Sequence, residues 1–166
     1  MNKRFKILFV LLSIFLLVGC SSENNEEKKE KNETKDDSII KCSISKMEVE
    51  DYSISSSYEI HSTDGVVDKV TTIETVETDD ESILSTFEEQ LETTYETANE
   101  TYGGYTYKIE KDDNKLTCTV EIDYKEMNLE KYVEDNPIMK SFTNENNKIT
   151  VTGIKTIYES IGAICE

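Results

Sequence analysis

The sequence lacks most of the residues from which familiar active sites are built. It has 166 residues with no tryptophan, and His61 is its one histidine. We therefore expect neither a serine or cysteine triad nor a histidine-rich zinc site. Phosphate-binding loops, dinucleotide fingerprints and EF-hand spacing are also absent. The sequence predicts no catalytic residue, cofactor or metal, and it predicts that His61 is exposed at a strand end beside the Asp64-Gly65 turn.

Positive charge is scarce. The chain has 18 Lys and Arg against 35 Asp and Glu, for a formal net charge of −17. Nucleic acid is an unsuitable partner, because phosphate binding requires a clustered basic face. A basic protein or a cation fits the charge better, and a solvated acidic surface is the simpler interpretation.

The longest apolar run, residues 7–18, is too short to cross a bilayer, since a spanning helix needs about 20 apolar residues. It follows Lys3, Arg4 and Lys6 and ends in Leu17-Val18-Gly19-Cys20. This order is that of a secretory signal peptide, and its end resembles the lipobox of bacterial lipoproteins. The resemblance implies that residues 1–19 are a lipoprotein signal peptide and that Cys20 carries the lipid. We then expect a protein anchored to the cell membrane by that lipid and facing outside the cytoplasm.

Residues 21–38 contain no apolar side chain. Such a segment cannot bury enough surface to offset its ordering entropy. We interpret residues 20–38 as the lipidated cysteine and a disordered polar tether. Residues 39–166 are long enough for a single globular domain.

Three cysteines remain after Cys20, in a compartment where disulfides persist. We favour a disulfide between Cys42 and Cys165, because it would close nearly the whole domain. Cys42 with Cys118 is the main alternative. Cys118 lies on the apolar side of an alternating segment, which favours a buried thiol.

Alternating apolar residues predict antiparallel strands, with hairpin turns at Asp64-Gly65 and Asp112–Asn114. A helix is predicted from the Thr78–Glu81 capping box to the Gly103-Gly104 stop. Its apolar stripe should lie on the sheet; it comprises Leu84, Phe87, Leu91, Tyr95, Ala98 and Tyr102. We expect an α+β fold in which an antiparallel sheet of about five strands packs against this one long amphipathic helix.

Short C-terminal helices are predicted at 128–134, ending before Pro137, and at 152–162. In the second of these, the residues expected to be buried are Ile154, Ile157, Tyr158 and Ile161.

Four glutamates of the long helix recur at four-residue steps and so share one side of it; they are Glu88, Glu92, Glu96 and Glu100. We call this row the acidic ridge. It is a candidate docking face for a basic partner or a cation, and a solvated helix face is the simpler alternative.

The chain resembles the YehR-like family of small bacterial lipoproteins, a group defined by a domain of unknown function. The resemblance rests on the lipobox, the polar tether, the Thr- and Val-rich stretch Val66–Thr71, the acidic helix, Gly103-Gly104-Tyr105, and the closing Gly162–Cys165. It implies an α+β domain in the cell envelope and supplies no catalytic residues.

These observations predict a lipid-anchored, monomeric, non-catalytic module that binds a partner or organises the envelope. The alternative from a different class is a carboxylate-based hydrolase that acts on envelope glycans. Such enzymes need two facing acids, and tryptophans that stack on sugars, often found in them, are absent here.

Overall fold

Six strands form one antiparallel sheet in a computed structural model that describes residues 37–166. They are β1 (Asp37–Val49), β2 (Tyr52–Thr63), β3 (Val66–Glu77), β4 (Tyr105–Asp112), β5 (Lys115–Asp123) and β6 (Ile164–Cys165). The spatial order is β4-β5-β3-β2-β1-β6. Helices pack on this sheet, so the predicted α+β class is confirmed.

Two strand predictions need correction. The sheet has six strands rather than five, because Ile164 and Cys165 pair with Ser43 and Cys42 of β1. The domain also begins earlier than residue 39. Asp37 and Ser38, assigned to the tether, are the first residues of β1, and the Ser38 hydroxyl lies 2.8 Å from that of Ser62. The predicted signal peptide, Cys20 and the rest of the predicted tether lie outside the described residues.

The two predicted hairpins are confirmed. Asp64 and Gly65 join β2 to β3 with φ angles of 53° and 76°, which are the positive values that a tight primed turn requires. Asp113, with a φ angle of 33°, lies in the turn between β4 and β5.

The long helix α1 (Glu81–Tyr102) is confirmed, but its predicted cap is wrong. The Asp80 side chain caps the helix by accepting a hydrogen bond from the Ser82 amide at 2.9 Å. Thr78 is buried and instead donates its hydroxyl hydrogen bond to the Asp51 carbonyl at 2.6 Å. Among the described residues, the Thr78 hydroxyl accepts only from the Asp80 amide, at 3.1 Å, so the side chain that caps the first turn of α1 is that of Asp80.

Three short helices follow the sheet: α2 (Leu129–Asp135), a 3-10 helix (Pro137–Phe142) and α3 (Val151–Ser160). The 3-10 helix was not predicted. In α3 the buried side chains are Ile154 and Tyr158, whereas Ile157 and Ile161, which were expected to be buried, are half-buried. Within residues 37–166, no helix is long and apolar enough to span a membrane.

The helices cover one side of the sheet. Phe87 of α1 packs edge-on against Tyr52 of β2, and Tyr158 of α3 stacks on Tyr58 with ring centroids 4.0 Å apart. The fully buried core is mainly aliphatic, with Ile60, Leu84, Leu116, Ile149, Val70, Val76 and Val120 as its largest members. The second half of the α1 stripe is less covered, because Tyr95, Ala98 and Tyr102 are half-buried.

Candidate functional site

The acidic ridge lies along β4, which forms one edge of the sheet. Lys111 of β4 anchors one end, where its ammonium pairs with Glu81 and lies 3.5 Å from the Glu88 carboxylate. The same ammonium donates to the Ser85 hydroxyl at 3.1 Å. Glu88, the first member of the ridge, is therefore already partly neutralised by a strand residue.

The rest of the ridge faces solvent. Glu92, Glu96 and Glu100 are exposed, and no ion pair to them is found among residues 37–166. Partial desolvation raises the pKa of the Tyr107 hydroxyl of β4, and the Glu96 and Glu92 carboxylates add to that rise. The exposed acids thus flank the middle of the edge strand.

A second polar cluster lies between α1 and the sheet, around Glu74 of β3. Glu74 is directly opposite Ser56 of β2 on one side and Cys118 of β5 on the other. Its carboxylate accepts a hydrogen bond from the Tyr95 hydroxyl of α1 at 3.0 Å. Next to it, the Ser56 and Tyr58 hydroxyls are 2.9 Å apart.

Burial dominates the electrostatics of this cluster. It raises the pKa of the Glu74 carboxyl, and the hydrogen bond from Tyr95 opposes the rise. Burial and then the nearby Glu74 carboxylate raise the pKa of the Cys118 thiol to about 12. A thiol that stays protonated at neutral pH is a poor nucleophile. Cys118 is buried and outside the disulfide, so the prediction of a buried core thiol is confirmed.

The other residues that the sequence analysis named do not lie together in one site. Cys42 and Cys165 form a disulfide, as predicted, between β1 and β6. β6 forms the opposite edge of the sheet from β4, and β1 lies next to it. His61 is half-exposed and its Nε2 lies 2.8 Å from Glu59. In the described part of the chain, no three His, Cys, Asp or Glu side chains come together to hold a metal ion.

The sequence analysis overlooked two features. Glu74 alternates with the buried residues Val70, Thr72 and Val76 of β3, and a charged residue among these three was the available signal. The position of β4 at a sheet edge has no local signal, because it depends on which strands pair over long range.

Searches against models of protein families and against curated proteins found no match. Among solved structures, the NMR structure of a protein from Streptococcus pneumoniae TIGR4 is similar, with a TM-score of 0.46 and 14% sequence identity. The similarity spans 90% of this chain and 97% of that chain. A likeness at this level identifies neither a family nor a function.

Proposed function

We propose that this protein is a lipid-anchored, extracytoplasmic lipoprotein whose domain is a non-catalytic binding or envelope-organising module. The anchor is Cys20 of the lipobox, and the polar segment after it holds the domain away from the membrane. Membership of the YehR-like family belongs to the same proposal.

The observation that carries the proposal is the disulfide between Cys42 and Cys165. Structural disulfides persist in oxidising compartments outside the cytoplasm and are rare within it. The disulfide and the lipobox are independent features of the chain, and both favour the same location. A lipid on Cys20 would explain how a strongly acidic domain stays at a membrane.

A binding role is supported by the arrangement along β4. Exposed acids flank an edge strand there, whereas the acid under α1 is surrounded by hydroxyl groups and a thiol. Burial raises the pKa of Glu74, and the hydrogen bond from Tyr95 opposes that rise. The residues opposite Glu74 on the neighbouring strands are Ser56 and Cys118 rather than a second carboxylate. A hydrolase of the expected kind needs two facing acids, so this cluster favours binding.

Lipid attachment is tested by growing a bacterium that expresses the full chain with a radioactive fatty acid and measuring the label on the purified protein. We expect label on wild type and none on Cys20→Ala, with Ser22→Ala as a matched control that is labelled like wild type. Absence of label on wild type, or equal labelling of wild type and Cys20→Ala, would contradict the anchor.

The absence of catalysis is tested by incubating the purified full chain with cell-wall glycan and measuring new reducing ends. We expect none above background. Activity that is present in wild type and lost in Glu74→Gln would replace the binding role with the hydrolase.

A further inference from the structure

Among the strands of residues 37–166, β4 lies at one edge of the sheet, so its outer side carries backbone groups that no described strand pairs with. β4 pairs with β5 alone among the strands of residues 37–166. The Asp123 amide donates to the Gly104 carbonyl at 2.7 Å. This bond shows which residues of β4 direct their backbone amide and carbonyl toward β5, namely every second residue counted from Gly104. Backbone groups of alternate residues then point away from β5, and these residues are Tyr107, Ile109 and Lys111.

One further contact agrees with this assignment of outward-pointing backbone groups. The amide of Tyr105, which should also point outward, donates to the Asn99 side chain of α1 at 3.2 Å. The end of β4 nearest Tyr105 is therefore capped by the helix, whereas no strand of the described part of the chain pairs with the outer side of Tyr107 to Lys111.

The spacing of the glutamates along the acidic ridge is close to the spacing of alternate side chains in a strand that would lie beside β4. Four helical residues rise about 6 Å, and two strand residues rise about 6.6 to 6.8 Å. Alternate side chains of an added strand would therefore follow Glu96 and Glu92 almost in step. Because Lys111 already pairs with Glu81 and Glu88, it repels an incoming cation less than a free lysine would.

We propose that β4 binds an extended basic segment of another protein as a seventh, antiparallel strand. Lysine or arginine at alternate positions of that segment faces Glu92 and Glu96, and the same residues exchange backbone hydrogen bonds with β4. The antiparallel direction follows the rest of the sheet and gives the more stable ladder. This inference rests on the proposed binding role and names its partner class.

The test uses a fluorescently labelled peptide in which lysine alternates with valine, and the full chain in non-ionic detergent. Two forms are N-methylated, one on every lysine and one on every valine. They have the same charge and composition. In the proposed complex the lysine amides face β4 and the valine amides face solvent.

Fluorescence anisotropy should show that methylation on valine leaves the affinity unchanged. Methylation on lysine should weaken binding about tenfold or more, because it removes the backbone hydrogen bonds. The double variant Glu92→Gln, Glu96→Gln should weaken binding of the unmethylated peptide about threefold or more. Glu130→Gln with Glu134→Gln, which removes two exposed charges of α2, is the matched control and should have no such effect.

Equal affinity of both methylated peptides would show contact through charge alone and would overturn strand addition. Failure of the unmethylated peptide to bind would overturn the basic partner class. Neither result bears on the lipid at Cys20, and a chain that lacked the lipid but bound as described would contradict only the anchor.

Discussion

Breaking the disulfide between Cys42 and Cys165 should remove a large share of the stability of this domain. The two cysteines are 123 residues apart in sequence. Chain-entropy theory gives about 5 kcal/mol for a loop of this size at 25 °C. Domains of this kind have a total unfolding free energy of about 5 to 15 kcal/mol, so the reduced protein should be marginal.

The expected change in melting temperature follows from the size of the domain. With about 2.1 cal/mol/K per residue, the roughly 130 residues of the domain have an unfolding entropy of about 270 cal/mol/K. A loss of about 5 kcal/mol then lowers the melting temperature by about 15 to 20 °C.

Thermal and urea unfolding, followed by circular dichroism with and without reductant, measures this change. The double variant Cys42→Ala, Cys165→Ala should resemble reduced wild type and should not respond to reductant. A loss of less than about 1 kcal/mol on reduction would refute the loop-entropy reasoning. A peptide map that joins Cys42 to Cys118 would refute the pairing itself.

Three further predictions concern the stability of single positions. Glu74→Gln should raise the urea midpoint at neutral pH, because burial raises the pKa of this carboxyl. The gain should shrink as the pH falls through the raised pKa and should disappear below the usual pKa of glutamate, where the wild-type side chain is neutral in both the folded and the unfolded state. Asp80→Ala should lower the unfolding free energy by about 1 kcal/mol in urea titrations, because it removes the cap of α1. Gly65→Ala should lower the unfolding free energy by about 1 to 2 kcal/mol in the same assay, because Gly65 has a positive φ angle. Gly104→Ala should lower it more, because the added Cβ would lie 2.5 Å from the Asp123 carbonyl oxygen.

Each of these predictions can be contradicted by a definite result. A stability gain in Glu74→Gln that is equal at neutral and acidic pH would mean that ionisation is not its cause. An Asp80→Ala variant as stable as wild type would assign the cap to another residue. Equal losses in Gly65→Ala and Gly104→Ala would mean that the close approach of Asp123 is relieved by movement of the turn.

Local patterns predicted most of the fold. The stripe that starts at Leu84 identified α1, and Asp64-Gly65 identified the first hairpin, because each signal depends on neighbouring residues only. The cap was misplaced by two residues, since Thr78 fits the capping pattern but its hydroxyl is engaged by Asp51 across a turn. That contact depends on tertiary structure and cannot be read from the local sequence.

Long-range pairing explains what the sequence did not predict. A strand as short as Ile164–Cys165 has no periodicity of its own, and it is held by Cys42 and by backbone bonds between Lys41 and Glu166. The acidic ridge was found from its four-residue repeat. Its neighbour Lys111, by contrast, comes from a strand 23 residues beyond Glu88.

The measurement that tests the central claim most directly is the intact mass of the protein extracted from membranes, compared between wild type and Cys20→Ala. We predict a mature chain that begins at Cys20 and carries acyl chains, with both the processing and the added mass lost in the variant. A wild-type chain that retains residues 1–19 and has no acyl mass would contradict the account.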